Sequence, residues 1–120
     1  RYTLNHVYDR YGVPIMITEN GIGARDEFKD GKIHDPYRIS YIKDHVEQMR
    51  LAIDDGVNLI GYTPWTVIDV ISCSTGEMAK RYGFIYVDAD DEGNGTYNRY
   101  KKDSFYWYQK VIATNGEDLG

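Results

Sequence analysis

The fold is decided by a nine-residue stretch at positions 13–21, which reads VPIMITENG. Its first six residues are almost continuously apolar, which predicts a strand covered on both faces, as strands of parallel sheets are. The run ends at Glu19, and Asn20 and Gly21 then allow the backbone to turn sharply. Because parallel α/β folds place ligand sites at the carboxyl ends of strands, Glu19 is a candidate functional carboxylate. Position alone leaves open that it is an ordinary solvated loop residue.

A helix is predicted on each side of this strand. Before it, apolar residues at helical spacing end at Gly12, which suits a helix C-cap. After it, residues 22–34 are charged and glycine-rich, with a turn signal at Asp30-Gly31, and indicate a loop. Asp35 is then expected to cap a second helix, whose apolar stripe at steps of three and four residues runs to a stop at Gly56.

A second apolar strand is predicted at residues 58–63. Trp65 follows its carboxyl end, as Glu19 follows the carboxyl end of the first strand. Strand, helix and strand at this spacing form a βαβ unit, which requires a parallel sheet. Trp65 is a candidate sugar-stacking residue, although a core aromatic between strand and helix is equally compatible with its position. Two parallel strands would leave unpaired edges, so the pattern indicates a piece of a larger α/β fold.

The rest of the chain predicts a strand at residues 84–88, a return strand after a glycine-rich turn, and a last helix at residues 104–114. Between the βαβ unit and this hairpin lies a polar loop at residues 72–82. It carries the hydroxyls of Ser72, Ser74 and Tyr82 together with the ammonium of Lys80. Hydroxyl donors and a lysine point charge suit a phosphate group, although loops of this composition are common.

Composition excludes several classes of function. Fourteen basic and nineteen acidic residues give a net charge of −5, which argues against nucleic-acid binding. No apolar run approaches the ~20 residues that span a bilayer, and residues 1–10 lack a signal-peptide stretch, so no membrane partner is expected. Cys73 is the single cysteine, which fits a reducing cytoplasm, and the three histidines lack zinc-ligand spacing. We expect no metal site and no cofactor.

Three segments taken together resemble glycoside hydrolase family 1, whose fold is a (β/α)8 TIM barrel. ITENG at residues 17–21 is similar to the motif that carries the family's catalytic nucleophile, so the resemblance implies that role for Glu19. GYTPW at residues 61–65 resembles the eighth barrel strand with its sugar-contacting tryptophan, here Trp65. KRYGFIYVD at residues 80–88 resembles the segment that follows. The resemblance implies that residues 1–120 are the C-terminal part of a single (β/α)8 glycosidase domain, about its last two βα units and a hairpin.

One departure from the wider family concerns the sugar's 6-position. Ordinary β-glucosidases carry a sugar-binding glutamate after the eighth strand, whereas this chain has VISC at residues 70–73, with Ser72 in place of the carboxylate. Removing that anion favours a 6-phosphate there. The stretch resembles the 6-phospho-β-glucosidase branch and implies Ser74, Lys80 and Tyr82 as phosphate ligands, with Ser72 a close competitor for the serine role. Cys73 stands where phospho-β-galactosidases tend to carry tryptophan and favours a gluco substrate.

The resemblance implies a retaining hydrolase acting on 6-phospho-β-D-glucosides. The family's acid/base glutamate lies in a T-x-N-E-P motif that this chain lacks, so we expect the 120 residues alone to be inactive and to self-associate. An unphosphorylated β-glucosidase and a 6-phospho-β-galactosidase remain alternatives within the same enzyme class. A non-catalytic module that binds sugar phosphates, or a purely structural fragment, is the alternative of a different class.

Overall fold

The computed structural model describes all 120 residues as three helices and three two-stranded sheets. The helices are α1 (Tyr2–Tyr11), α2 (Pro36–Asp54) and α3 (Asp103–Ala113). The strands are β1 (Ile15–Ile17), β2 (Phe28–Lys29), β3 (Lys32–Ile33), β4 (Leu59–Tyr62), β5 (Ile85–Val87) and β6 (Arg99–Lys101). No helix is both long enough and apolar enough to cross a membrane.

The predicted βαβ unit is present. β1 and β4 pair in parallel, with Ile15 opposite Leu59 and Ile17 opposite Tyr62, and α2 connects them. Gly12 ends α1 in the left-handed conformation, with φ 63°, as its position predicted. The strands are not covered on both faces by this chain, because Met16 is 52% exposed and Ile60 is 66% exposed. Parallel pairing brings the carboxyl ends of both strands to one edge, where Glu19 and Trp65 follow.

The interpretation of residues 22–34 as a loop was wrong in part, because β2 and β3 form a small antiparallel hairpin there. The turn residues Asp30 and Gly31 both have positive φ, 52° and 77°. That pair of conformations matches the twist of flanking strands and favours a two-residue hairpin. The turn signal was therefore correct, and the two short strands that it joins were not predicted.

The second hairpin, β5 and β6, follows the prediction closely and carries α3 behind it. The segment after β4 runs beside β5, since Asp69 N donates to Ile85 O at 2.9 Å. Gly83 allows this close crossing: a methyl group at its Cβ position would lie 2.5 Å from Asp69 N. Ten apolar and seven polar or charged residues are buried in the chain, and five of the seven are charged.

Candidate functional site

The candidate site is built where the segments after β1 and β4 meet. Trp65 N donates to Asn20 O at 2.7 Å, and Thr63 N donates to Ile17 O at 2.9 Å, so the two strand ends continue side by side. Glu19 is exposed at this edge, and its carboxylate makes no hydrogen bond or ion pair within the chain. Within these 120 residues the carboxylate is therefore unpaired.

The side chain of Asn20, directly after Glu19, forms hydrogen bonds with residues of both α2 and β4. Its side-chain amide donates to the Tyr41 hydroxyl of α2 at 3.1 Å and accepts from the Tyr62 hydroxyl of β4 at 3.0 Å. Burial raises the pKa of Tyr62, which keeps this hydroxyl a donor at any physiological pH. Two hydrogen bonds from different elements fix the backbone that presents Glu19, and sequence reasoning did not predict them.

Trp65 is half-buried and lies against the turn after Glu19, because the Cβ position of Gly21 is 3.0 Å from Trp65 Cβ. The next residue, Thr66, has φ 59°, a conformation that is strained for a β-branched residue. Its hydroxyl donates to Ile68 O at 2.7 Å, which helps to hold this backbone. Such strained positions cluster at functional sites, and no sequence signal indicated this one.

The hydroxyl-rich loop brings together the residues that the sequence proposed for a phosphate. Ser72 is buried, and its Oγ lies 3.2 Å from Ser74 Oγ and 3.4 Å from the Tyr82 hydroxyl. Lys80 Nζ lies 5.8 Å from the centre of the Tyr82 ring. Three hydroxyl groups and one ammonium group therefore lie close together, with Ser72 buried and Ser74 exposed.

The electrostatics of this group favour donation to an anion. The hydrogen bond with Ser72 lowers the pKa of Tyr82, the neighbouring Lys80 ammonium acts in the same direction, and partial burial opposes both. Cys73, between the two serines, is exposed and free. Its side chain makes no hydrogen bond in the chain, so it contributes shape to the loop rather than a fixed polar contact.

The hydroxyl-rich loop and the Glu19 segment are joined directly. Ala24 and Arg81 exchange backbone hydrogen bonds of 2.9 and 2.8 Å, which clamps the two segments together. One residue earlier, Gly23 lies against Tyr82 and Lys80. The segment that follows Glu19 is therefore joined, at residues 23 and 24, to the part of the loop that carries Lys80 and Tyr82. No group of three or more His, Cys, Asp or Glu side chains is arranged to hold a metal ion.

A buried network of charged side chains supports this surface, and the sequence did not predict it. Three carboxylates and three cationic groups balance one another, and none of the six side chains is more than 7% exposed: Asp26, Asp35, Asp69, Arg38, Arg81 and Lys102. Burial lowers the pKa of Lys102, against the attraction of Asp69 and Asp26. Burial also disfavours the Arg38 charge, but Asp26 and Asp35 outweigh it and raise the pKa of Arg38.

Within this network Arg81 points inward while its neighbours point outward. Its guanidinium donates to Val87 O at 2.7 Å, to Ala89 O at 2.8 Å and to Asp69 at 3.3 Å. In extended backbone successive side chains alternate sides, so an inward Arg81 directs Lys80 and Tyr82 to the opposite face. The network thus orients the two residues proposed for the phosphate.

Comparisons with known proteins give the family of this chain. A family model described as Glycosyl hydrolase family 1 matches residues 1–117. The chain is 63% identical over 121 residues to the aryl-phospho-beta-D-glucosidase BglA of Bacillus subtilis (strain 168), covering 99% of the chain and 25% of that protein. It is 59% identical over 120 residues to the 6-phospho-beta-glucosidase AscB of Escherichia coli (strain K12), with 99% and 25% covered.

Among solved structures, the family 1 b-glucosidase from Thermotoga maritima matches with a TM-score of 0.87 and 38% identity, covering 98% of this chain and 26% of that one. The predicted fold class is thereby confirmed: the chain has the structure of part of a (β/α)8 barrel and closes no barrel itself. It spans about a quarter of the length of the relatives that it matches.

Proposed function

Because this chain belongs to glycosyl hydrolase family 1, we propose that it is the C-terminal part of a single (β/α)8 domain that hydrolyses 6-phospho-β-D-glucosides with retention. One observation carries the substrate class: Ser72, Ser74, Lys80 and Tyr82 form a hydroxyl and ammonium cluster beside the Glu19 segment. The names of the two relatives, the aryl-phospho-beta-D-glucosidase BglA and the 6-phospho-beta-glucosidase AscB, support the same substrate class.

Glu19 is the nucleophile in this proposal. Retaining glycosidases use two carboxyl groups about 5–5.5 Å apart, one of which attacks the anomeric carbon while the other protonates the leaving oxygen. An exposed carboxylate without internal partners can attack, and Asn20 holds its backbone in place. The acid/base glutamate of a T-x-N-E-P motif would be supplied from outside these 120 residues.

The remaining residues hold the substrate. Lys80 supplies the charge. The Ser72, Ser74 and Tyr82 hydroxyls, which lie within 3.2–3.4 Å of one another through Ser72, each have one proton and turn it from the neighbouring hydroxyl to a phosphate oxygen. Trp65 stacks on the sugar, since it follows the end of β4 and its backbone is hydrogen-bonded to Asn20, the residue after Glu19. Cys73 is small enough to leave the gluco configuration room. We place this reaction in the cytoplasm, since the single free cysteine suits a reducing compartment.

The substrate class is tested by comparing kcat/KM for a 6-phosphorylated and a plain aryl β-glucoside on the complete protein. Lys80→Ala is expected to lower kcat/KM about 10- to 100-fold for the phosphorylated substrate only, because a hydrogen bond to a charged group is lost. Lys29→Ala, at an exposed lysine of the β2–β3 hairpin, is the control and should change neither value. Equal losses on both substrates would favour an unphosphorylated β-glucosidase instead.

The nucleophile is tested separately. Glu19→Gln keeps the shape of the side chain but removes its charge, and kcat should fall about 10³-fold or more. Full hydrolysis by this variant would exclude the proposed role of Glu19. It would favour the alternative in which these 120 residues are a non-catalytic part of the complete protein. A 6-phospho-β-galactoside hydrolysed faster than the gluco substrate would redirect the assignment to that branch.

A further inference from the structure

Gly23 lies against the outer ends of the two residues proposed for the phosphate. A methyl group at its Cβ position would be 2.6 Å from Tyr82 Cζ and 2.8 Å from Lys80 Cε, and real Cβ atoms essentially never come closer than 3.0 Å. Gly23 has no positive φ, so its backbone conformation is open to other residues. What excludes a side chain here is the space that Tyr82 and Lys80 occupy.

The segment that carries Gly23 cannot move away from this contact. It is fixed before Gly23 by the hydrogen bond between Trp65 N and Asn20 O, and after it by the pair of hydrogen bonds between Ala24 and Arg81. The Arg81 side chain is itself anchored in the buried network. A side chain at position 23 would therefore displace the Tyr82 ring and the Lys80 stem and leave the backbone in place.

We propose that Gly23 is a specificity-determining position for the phosphorylated substrate. Its missing side chain lets the Tyr82 hydroxyl lie 3.4 Å from Ser72 Oγ, and lets Lys80 approach the same group. Displacing the Tyr82 ring and the Lys80 stem would move the hydroxyl and the ammonium proposed to contact the phosphate, and such hydrogen bonds weaken when their distance and angle change. Gly23 touches no substrate and acts through Tyr82 and Lys80. This inference rests on the proposed function.

Gly21 provides a matched control two residues earlier in the same segment. A methyl group there would meet Trp65, at 3.0 Å from its Cβ, and not the phosphate pair. Gly21→Ala should therefore disturb Trp65, the proposed sugar-stacking residue, which phosphorylated and plain glucosides would both contact. Gly23→Ala should instead disturb the phosphate contacts alone.

The experiment measures kcat/KM of the complete protein with 6-phosphorylated and plain aryl β-glucosides, with thermal melting as the check on folding. The kcat/KM value for the phosphorylated substrate, divided by that for the plain substrate, should fall at least about tenfold in Gly23→Ala. The fall should come mainly from a higher KM for the phosphorylated substrate, because charge-assisted hydrogen bonds are lost. In Gly21→Ala both values should fall together. In a Lys80→Ala/Tyr82→Phe background, adding Gly23→Ala should change the ratio less than about twofold, because the ring is still displaced but the ammonium and the hydroxyl that would contact the phosphate are already gone.

The outcomes separate this inference from the function on which it rests. A wild-type protein that shows no preference for the phosphorylated substrate would overturn both. A wild-type preference that Gly23→Ala keeps, or a tenfold loss that persists in the Lys80→Ala/Tyr82→Phe background, would overturn the role of Gly23 alone. If Gly23→Ala melts early, Gly23→Ala/Lys80→Ala is compared with Lys80→Ala. If the two variants have the same ratio of kcat/KM values, the result counts against the proposal. If the ratio is lower in Gly23→Ala/Lys80→Ala, the result supports the proposal, because the remaining effect of Gly23→Ala acts on Tyr82.

Discussion

At the scale of single residues, the Tyr82 hydroxyl links the proposed substrate to pH. The hydrogen bond with Ser72 lowers the pKa of Tyr82 below the usual 10.0, and the Lys80 ammonium adds to this effect. A phenol donates to phosphate only while it is protonated, and a phenolate repels the phosphate. We therefore expect kcat/KM for the phosphorylated glucoside to fall as the pH rises through this lowered pKa, earlier than with an ordinary tyrosine.

The measurement is a pH profile of kcat/KM, which reports ionisations of the free enzyme. Tyr82→Phe should lower the plateau and lose this alkaline limb, since its ring carries no ionisable group. Tyr106→Phe, at a tyrosine that is 59% exposed on α3, should keep the wild-type profile. An alkaline limb that survives in Tyr82→Phe would assign the ionisation to another group.

Residue-scale features differ in how far the sequence could predict them. The grouping of Ser72, Ser74, Lys80 and Tyr82 followed from their closeness in the chain, and the structure places them together. The contacts of Asn20 with Tyr41 and Tyr62 join positions 21 and 42 residues apart, so no local pattern carries them. A glycine such as Gly23 likewise gives no sign of which side chains will fill the space beside it.

At the scale of elements, Asp35 joins the start of α2 to the start of α3. The sequence predicted that Asp35 would cap α2, but its side chain makes no such bond and accepts instead from Ser104 N of α3 at 2.9 Å. It also accepts from the Ser104 hydroxyl and, at 2.6 Å, from Arg38. The Asp35 carboxylate thus caps α3 through Ser104, which lies 69 residues later in the chain. Only tertiary packing determines which of the two helices it caps.

Asp35→Ala should destabilise the protein by about 3–5 kcal/mol, because it removes a cap and leaves the buried Arg38 without one of its two carboxylates. Unfolding in urea, followed by the change in midpoint at constant slope, measures this loss. Asp103→Ala is the matched control in the first turn of α3, the turn that Asp35 contacts, since Asp103 pairs with His34 at an exposed site. That change should cost less than about 1 kcal/mol. Similar losses in both variants would contradict the role assigned to Asp35.

At the scale of the whole molecule, the chain is a flat body with little interior. Its extents are 48 × 30 × 17 Å and its radius of gyration is 16.1 Å, against about 14 Å for a compact domain of this length. Only 18 of 120 residues are buried, so most apolar side chains keep contact with solvent. The parallel strands β1 and β4 have no further neighbours, and both therefore present an open edge.

We therefore expect a polypeptide of these 120 residues to self-associate. The exposed side chains of Met16 and Ile60 lie on the paired strands, and burying them against a second copy removes apolar surface from water. Sedimentation velocity should show association that increases with concentration in the micromolar range. Ile60→Lys should weaken it, because a charge on this face opposes burial, whereas Tyr2→Lys, at an exposed position on α1, should not. A species that stays monomeric at about 100 μM would show that the open sheet is protected in some other way.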